Sequence, residues 1–281
     1  YILYSGDYDF IINEIMPTLK NIIHAYKTGT GFNIHMDSDS LVIAGSDLDQ
    51  ITWMDVRVND VVVTPRHGKP VEINALWYNA LKIMELLCDH IGEDSSEYSS
   101  LAEKVKESFK KRYFCNETGC LYDVLDVDDP SVRPNQLYAI SLPFKILAKE
   151  KAVSVFNVIE RELYNKYGLR SLSPNDPRFK PRYEGKLFDR DMAYHMGTTW
   201  GFLIGGYLDA YRYIHGDSEE VTNKINDLVH VFREHLNEGC LNGIAEIFDG
   251  DVAGRTRGCY NQAWSVGELL RAYFENVLME K

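Results

Sequence analysis

Apolar residues recur at helical spacing along most of this 281-residue chain, and this periodicity constrains the fold more than any other feature of the sequence. The first run covers residues 10–26, with Pro17 as the expected kink. The second begins at Pro70, because the first position of a helix tolerates a missing N–H, and it ends at Gly92. Similar runs predict helices at about 97–113, 134–147, 149–166, 198–215, 218–237 and 260–279. About eight helices indicate an all-α fold.

Short β-like pieces lie between the helices, at 31–35, 41–44 and 120–124. Each is too brief to build a large sheet, so we expect small hairpins inside the loops. No linker or low-complexity stretch divides the sequence, which favours a single domain over residues 1–281. Long loops inside a compact domain are usually functional, so we expect the chemistry in those rich in Trp, Arg, Asp and Gly, at 29–69, 167–197 and 238–259.

The composition argues against nucleic-acid-binding and membrane proteins. A net charge of −12 without a basic run argues against a nucleic-acid partner, since such binding depends on clustered Lys and Arg. No apolar stretch approaches the ~18 residues of a membrane span, and the start of the chain does not resemble a signal peptide. Five cysteines, an odd count without metal-binding spacing, are typical of reduced thiols. We therefore expect a cytoplasmic protein that binds no membrane and whose ligand is neutral or cationic.

A loop followed by a helix start carries the most specific motif. Residues 52–55 read Thr-Trp-Met-Asp, and residues 64–81 read TPRHGKPVEINALWYNAL. Three shorter segments follow in order: YHMGTTW at 194–200, AEIFDG at 245–250 and GCYNQAWS at 258–265. Together these strings closely resemble the glucosidase domain of glycogen debranching enzymes, which are relatives of glucoamylases. The matches span residues 29–270.

This resemblance implies an amylo-α-1,6-glucosidase that acts on glycogen or a related α-glucan. The Asp of the Thr-Trp-Met-Asp motif is the family's general acid, here Asp55, and the Glu of the late loop is its general base, here Glu246. An inverting reaction, which the glucoamylase relation implies, needs the two carboxyl groups ~6.5–9.5 Å apart. Trp53 could keep Asp55 protonated by excluding water, whereas Glu246 should stay exposed to its water. Asp249 is near enough in the sequence to compete with Glu246.

Aromatic side chains in the same motifs are candidates for sugar binding, because sugar rings present apolar C–H faces to aromatic planes. A Trp at a loop–helix junction is as often part of the core. The candidates are Trp53, Trp77, Trp200 and Trp264. Of these, Trp53 is the preferred sugar platform.

Polar side chains in the motifs have two interpretations each. Arg66, Lys69 and Glu72 could hydrogen-bond glucose hydroxyls, or they could hold their loop by pairing with one another. His195 could donate to a sugar hydroxyl or satisfy a buried carbonyl, which is commoner for a lone His. Gln262 should lie one turn into a helix that begins near residue 259 and face the site.

No metal or cofactor is predicted. The acidic segments 37–40 and 47–49 suggest calcium, but an EF-hand needs a third ligand and a Gly where Leu41 and Val42 stand. A solvated loop is the preferred interpretation. The glycine motifs of nucleotide-binding proteins and serine hydrolases do not occur in the sequence.

The resemblance also implies an (α/α)6 toroid of six inner and six outer helices. At roughly 35 residues per helix and loop, twelve helices need about 420 residues, so we expect the toroid to be incomplete at its N-terminus. The chain starts with Tyr1 inside a helix-like run, and the family's upstream Trp-Gly-Arg-Asp motif does not occur. An open toroid should expose apolar helix faces, through which a homo-oligomer could form.

Two alternatives remain open from the sequence. The first is another helical-toroid carbohydrate enzyme, either trehalase-like or uronate-acting. The net charge of −12 argues against a uronate substrate, because an anionic sugar needs a positively charged entrance to the active site. The second is a non-catalytic α-glucan-binding domain that keeps the aromatic residues but hydrolyses nothing.

Overall fold

The computed structural model describes residues 1–238 and 241–279, so that Cys240 lies outside the described residues. The α-helices of this part of the chain are α1 (Ile2–Ser5), α2 (Tyr8–Phe10), α3 (Met16–Thr28), α4 (Val71–Ile91), α5 (Ser96–Arg112), α6 (Tyr138–Ser141), α7 (Lys149–Glu162), α8 (Leu187–Asp191), α9 (Leu203–His215), α10 (Glu219–His230), α11 (Phe232–His235) and α12 (Ala263–Tyr273). The prediction of a helix-rich fold is confirmed. None of these helices is both long and apolar enough to cross a bilayer.

The first two predicted helices form close to their predicted bounds. A π-helical turn, Ile11–Ile15, joins α2 to α3 and precedes Pro17. Proline has no N–H to donate within a helix, which accounts for an irregular turn at this point. Helix α4 ends at Gly92, whose left-handed φ of 71° lets its N–H bond back to the last turn.

Two predicted helices are shorter than expected. The segment 134–147 is helical only as a 3-10 turn, Pro134–Leu137, followed by α6. Leu142 is extended, as expected for a residue before a proline, and this ends the helix. The segment 198–215 starts its helix only at Leu203, because Thr199 and Trp200 form a strand instead.

Helix α9 lies at the centre of the helical packing. It contacts α6, α7, α10 and α12, while α4 packs against α5 and α6. The buried residues Ile204, Tyr207 and Leu208 place one face of α9 in the core. Burial of such side chains contributes about 1.5–3 kcal/mol each to the stability of the fold.

A four-stranded antiparallel sheet was not predicted, because its strands of two residues each are too short to show a period in the sequence. Its strands lie in the order Thr256–Arg257, Ile247–Phe248, Thr199–Trp200 and Leu169–Arg170. The remaining strands form two-stranded pairs, as expected for small hairpins. In chain order the strands are β1 (His35–Met36), β2 (Val42–Ile43), β3 (Arg57–Val58), β4 (Val61–Val62), β5 (Lys69–Pro70), β6 (Phe114–Cys115), β7 (Cys120–Leu121), β8 (Val124–Leu125), β9 (Leu169–Arg170), β10 (Thr199–Trp200), β11 (Ile247–Phe248) and β12 (Thr256–Arg257).

Apolar side chains are exposed along two helical surfaces. One follows α4 and consists of Leu76, Ile83 and Leu86. The other follows α12 and the π-helical turn Phe274–Leu278, and it consists of Leu270, Phe274 and Leu278. Exposed apolar faces were expected, and association through them stays a prediction.

Candidate active site

The small sheet fixes the backbone of Glu246. This residue directly precedes β11, whose Ile247 pairs with Trp200 of β10. The carbonyl of Glu246 accepts from the N–H of Gly201 (3.2 Å), and its own N–H donates to the carbonyl of Cys259 (2.9 Å). Its backbone is therefore held at one end of the sheet, next to the strand that contains Trp200.

The carboxylate of Glu246 accepts from three donors within the described part of the chain. The N–H of Cys259 donates to Oε2 (2.9 Å), and Gln262 Nε2 donates to Oε1 over a longer distance of 3.4 Å. The hydroxyl of Tyr194 also donates to Oε1. Glu246 is partly buried, whereas the sequence had suggested a side chain open to water.

Gln262 reaches Glu246 from a different place than predicted. It is the N-cap of α12, which begins at Ala263 rather than near residue 259. Its side-chain oxygen accepts from the N–H of Ala263, while its amide nitrogen points at Glu246.

Asp55 stands at the end of the loop that precedes β3. The loop is held by Thr64, whose hydroxyl donates to the carbonyl of the buried Met54 (2.8 Å). The Asp55 side chain is 65% exposed, and its Oδ1 lies 3.7 Å from Nε2 of His195.

The pKa values of Asp55 and His195 move in the same direction for different reasons. Interaction with His195 lowers the pKa of Asp55 and outweighs the opposing effect of partial desolvation. Burial lowers the pKa of His195, so the ring is neutral at pH 7. The expectation that Trp53 raises the pKa of Asp55 is therefore wrong for this open site. Trp53 instead packs edge-on against His195, with ring centroids 5.3 Å apart.

The carboxylates of Asp55 and Glu246 each contact one residue of the dipeptide Tyr194-His195. Glu246 contacts the hydroxyl of Tyr194, and Asp55 contacts the ring of the next residue, His195. Both carboxylates also act electrostatically on Tyr194, whose pKa is raised first by burial and then by the hydrogen bond to Glu246. Two acidic residues from distant parts of the sequence thus converge on adjacent side chains.

Neither ring nitrogen of His195 has a hydrogen-bond partner among the described residues. His195 is fully buried and stacks on Trp200 at 5.0 Å. The commoner role suggested by the sequence, a bond to a buried carbonyl, is absent for this ring in the described part of the chain. Its direct contact with sugar stays a prediction.

An aromatic cluster lies beside the carboxylates. Trp200 is buried, and its N–H donates to Tyr194 O (3.2 Å) and to Thr198 Oγ1 (3.1 Å). Trp200 therefore supports the site from within the core. Trp264 stacks on Phe202 at 4.3 Å and is 39% exposed, which makes it more open to a ligand. Trp53 is partly buried.

Arg66 and Glu72 pair with each other, which is the second of the two interpretations offered by the sequence. Arg66 Nη2 donates to Glu72 Oε2 (2.6 Å) and Arg66 Nε to Asp123 Oδ2 (2.7 Å), and all three side chains are buried. Asp123 accepts from Asn135 Nδ2 (2.8 Å), and Asn135 Oδ1 accepts from the indole N–H of Trp53 (2.7 Å). Through Asp123 and Asn135, this network therefore fixes the position of the Trp53 side chain.

Lys69 is buried away from both carboxylates of the site. Its ammonium contacts Asp37 (2.8 Å), Asp39 (3.0 Å) and Asp126 (3.2 Å). The acidic segment at 37–40 is thus paired with lysine rather than simply solvated. This geometry leaves Lys69 with a structural role, in place of the sugar contact that the sequence allowed.

Trp77 also belongs to the core. It is buried in α4, donates to the carbonyl of Ser40 (3.2 Å) and stacks near Tyr26. Its burial favours the core role that the sequence also allowed, and sugar binding by Trp77 stays a prediction.

Asp249 does not compete with Glu246 as a base. It is fully buried, and its carboxylate accepts from Arg257 Nε (2.8 Å) and faces Arg255 Nε (3.6 Å). A carboxylate held by two guanidinium groups inside the protein is a structural ion pair.

A groove of about 940 Å³ begins at the aromatic cluster, where Trp53, Phe202 and Trp264 form its wall. It runs between α6, α9 and α12 and does not include Asp55 or Glu246 in its lining. We place the candidate site at the carboxylates rather than in this groove, because the groups that can transfer protons lie there.

Sequence reasoning missed Tyr194, Asn135 and Asp123 as parts of the site. Tyr194 stands in a recognised motif, so it could have been considered as a partner of Glu246. Asn135 and Asp123 lie outside every motif, and only the folded chain brings them to Trp53 and Arg66.

Comparisons with known proteins point to one family. Residues 1–271 match the family described as amylo-alpha-1,6-glucosidase. The glycogen debranching enzyme of Saccharomyces cerevisiae (strain ATCC 204508 / S288c) is 24% identical over an alignment of 320 positions that includes 92% of this chain. The alignment includes 21% of that enzyme, so the chain spans about a fifth of the relative's length.

Solved structures share the helix-rich fold. The GH63 mannosylglycerate hydrolase from Thermus thermophilus in complex with Tris has a TM-score of 0.54 and 17% identity, over 75% of this chain and 46% of that one. A structure named "Sialidase" has a TM-score of 0.70 and 16% identity, over 96% of this chain and 24% of that one. Likeness at such identity concerns the fold alone.

Proposed function

Because the chain belongs to the amylo-alpha-1,6-glucosidase family, we propose that it removes glucose attached by α-1,6 linkage at branch points of glycogen or a related α-glucan. Asp55 is the general acid and Glu246 the general base of an inverting hydrolysis. The observation that carries this assignment is the convergence of the two carboxylates on Tyr194 and His195. The helices then form part of an (α/α)6 toroid, and the protein works in the cytoplasm without metal or cofactor.

The reaction needs one proton donor and one proton acceptor. Asp55 donates its proton to the glycosidic oxygen while the bond from that oxygen to C1 of glucose breaks. Glu246 takes a proton from a water molecule, which attacks C1 from the opposite face. The donors around Glu246 fix the orientation of its carboxylate.

The lowered pKa of Asp55 belongs to the open site, in which water covers its carboxylate. A bound glucose unit displaces that water, and desolvation raises the pKa of a carboxyl group. Asp55 therefore takes up its proton together with the substrate. Trp264 and Trp53 provide apolar surfaces for the sugar rings.

The direct test is the product released from a dextrin that carries single α-1,6-linked glucose units, measured by proton NMR with the full-length protein. We expect β-glucose to appear first, because inversion at C1 converts the α linkage into a β product. Initial release of α-glucose would exclude inversion. Binding of the dextrin without any glucose release would support the glucan-binding alternative.

A glycine beside the base gives a second prediction. Gly258 has φ +65°, and a Cβ there would lie 2.4 Å from Glu246 Oε2. Gly258→Ala should lower kcat by about 10- to 100-fold, because displacement of a catalytic group by ~1 Å has effects of this size. Steady-state kinetics on the same dextrin measure the change.

Gly254→Ala is the matched control. Gly254 has φ +86° just before β12, whereas Gly258 follows this strand, so an alanine there bears a similar backbone strain, but its added Cβ would meet Tyr167 at 3.1 Å. Both variants should lose about 1–2 kcal/mol of stability. Equal kcat values for the two variants would show that the close approach of Gly258 to Glu246 does not matter for catalysis.

A further inference from the structure

The two oxygens of the Glu246 carboxylate have different surroundings. Oε1 accepts from the hydroxyl of Tyr194 and from Gln262 Nε2 (3.4 Å), whereas Oε2 accepts only from the N–H of Cys259 (2.9 Å) among the described residues. An ionised carboxylate offers about four acceptor positions, two on each oxygen. Both positions on Oε1 are thus occupied, and one on Oε2 remains.

Oε2 lies close to the backbone of a glycine. A Cβ on Gly258 would lie 2.4 Å from Oε2, so a side chain there would displace the carboxylate. A water molecule at the remaining acceptor position of Oε2 can donate a hydrogen bond to this oxygen, which is the geometry needed before proton transfer.

Tyr194 is itself firmly placed. Its carbonyl accepts from Thr198 Oγ1 (2.5 Å) and Trp200 Nε1 (3.2 Å), which fixes the backbone. Its ring packs between Tyr183 (5.0 Å) and Trp200 (4.8 Å). Its hydroxyl is therefore a preorganised donor rather than a mobile group that finds Glu246 by chance.

We propose that Tyr194 is a positioning residue for Glu246: its hydroxyl occupies Oε1 and orients the carboxylate so that Oε2 binds and deprotonates the water. This assignment rests on the proposed role of Glu246 as the base. Tyr194 itself touches neither the sugar nor the water in this scheme, and it keeps its proton throughout the reaction.

The test is Tyr194→Phe in the full-length protein, which removes the hydroxyl and keeps the ring contacts. We expect kcat to fall about 10- to 100-fold with a smaller change in KM, because the carboxylate loses its orientation while sugar contacts remain. Circular dichroism and urea unfolding should show the same fold for this variant, so that the fall in kcat reflects the carboxylate and not a loss of structure. A purely structural role would lower the stability and would not separate kcat from KM.

Tyr183→Phe is the matched control, because this ring packs on Tyr194 but its hydroxyl faces Asp191 (3.4 Å). It should leave kcat and KM unchanged. A Tyr194→Phe enzyme with the kcat and KM of Tyr183→Phe would overturn the positioning role.

Two further variants distinguish a wrong assignment of Glu246 as the base from a wrong role for Tyr194. Glu246→Gln should lower glucose release by about 100-fold or more, and full activity in this variant would remove the base assignment and the role of Tyr194 together. Gln262→Ala removes the longer bond to Oε1, so its effect on kcat should be in the same direction but smaller than that of Tyr194→Phe. A larger fall in kcat in Gln262→Ala than in Tyr194→Phe would contradict the assignment of Tyr194 as the main donor.

Discussion

Glucose release is expected to fall by about 100- to 10,000-fold when Asp55 is replaced by Asn or Glu246 by Gln. Each change keeps the shape of the side chain and removes its capacity to give or take a proton. Binding of the branched dextrin should persist, because the aromatic cluster of Trp53, Phe202 and Trp264 remains intact. Isothermal calorimetry for binding and glucose release for turnover measure the two properties separately.

Exposed acidic residues provide isosteric controls for these variants. Asp60→Asn, in the turn between β3 and β4, and Glu117→Gln should both retain full activity. If Asp55→Asn released glucose as fast as Asp60→Asn, Asp55 would not be the general acid. If the unaltered protein bound dextrin and neither catalytic variant changed any property, the chain would be a glucan-binding domain.

The largest expected effect on stability comes from Arg66→Met. Arg66 is buried between Glu72 and Asp123, which together raise its pKa above the usual range although burial opposes its charge. Its removal leaves two buried carboxylates without their main partner, and breaking such a pair costs about 3–5 kcal/mol. Urea unfolding monitored by circular dichroism measures the loss.

Arg182→Met tests whether burial of the ion pair is the reason for the large loss of stability expected in Arg66→Met. Arg182 forms a comparable contact with Asp251 (2.9 Å), but both side chains are substantially exposed. Exposed ion pairs contribute about 0–1 kcal/mol, so this variant should be nearly as stable as the unaltered protein. Similar losses in the two arginine variants would refute the structural role given to Arg66.

Arg66→Met should also weaken catalysis, because the same network reaches Trp53 through Asp123 and Asn135. This explains how a residue of the loop motif can matter without touching sugar. A side chain whose donors are all used inside the protein acts by holding another side chain in place.

The sequence alone determined the family, through strings long enough to be specific, and that assignment is confirmed for residues 1–271. It also predicted a helix-rich fold, because helical periodicity repeats over many residues in segments such as α4 and α9. The single domain, the toroid and the catalytic pair stay predictions that rest on the family resemblance and on the geometry of the site.

Only the tertiary structure decided which polar residues of the motifs face the site and which are internal. Lys69 and Arg66 belong to the same string, yet their partners Asp37 and Asp123 come from elsewhere in the chain. The strands that bring Trp200 beside Glu246 are two residues long and leave no periodic signal. Pairing between distant segments depends on which surfaces meet in the folded chain, and local sequence patterns do not encode that choice.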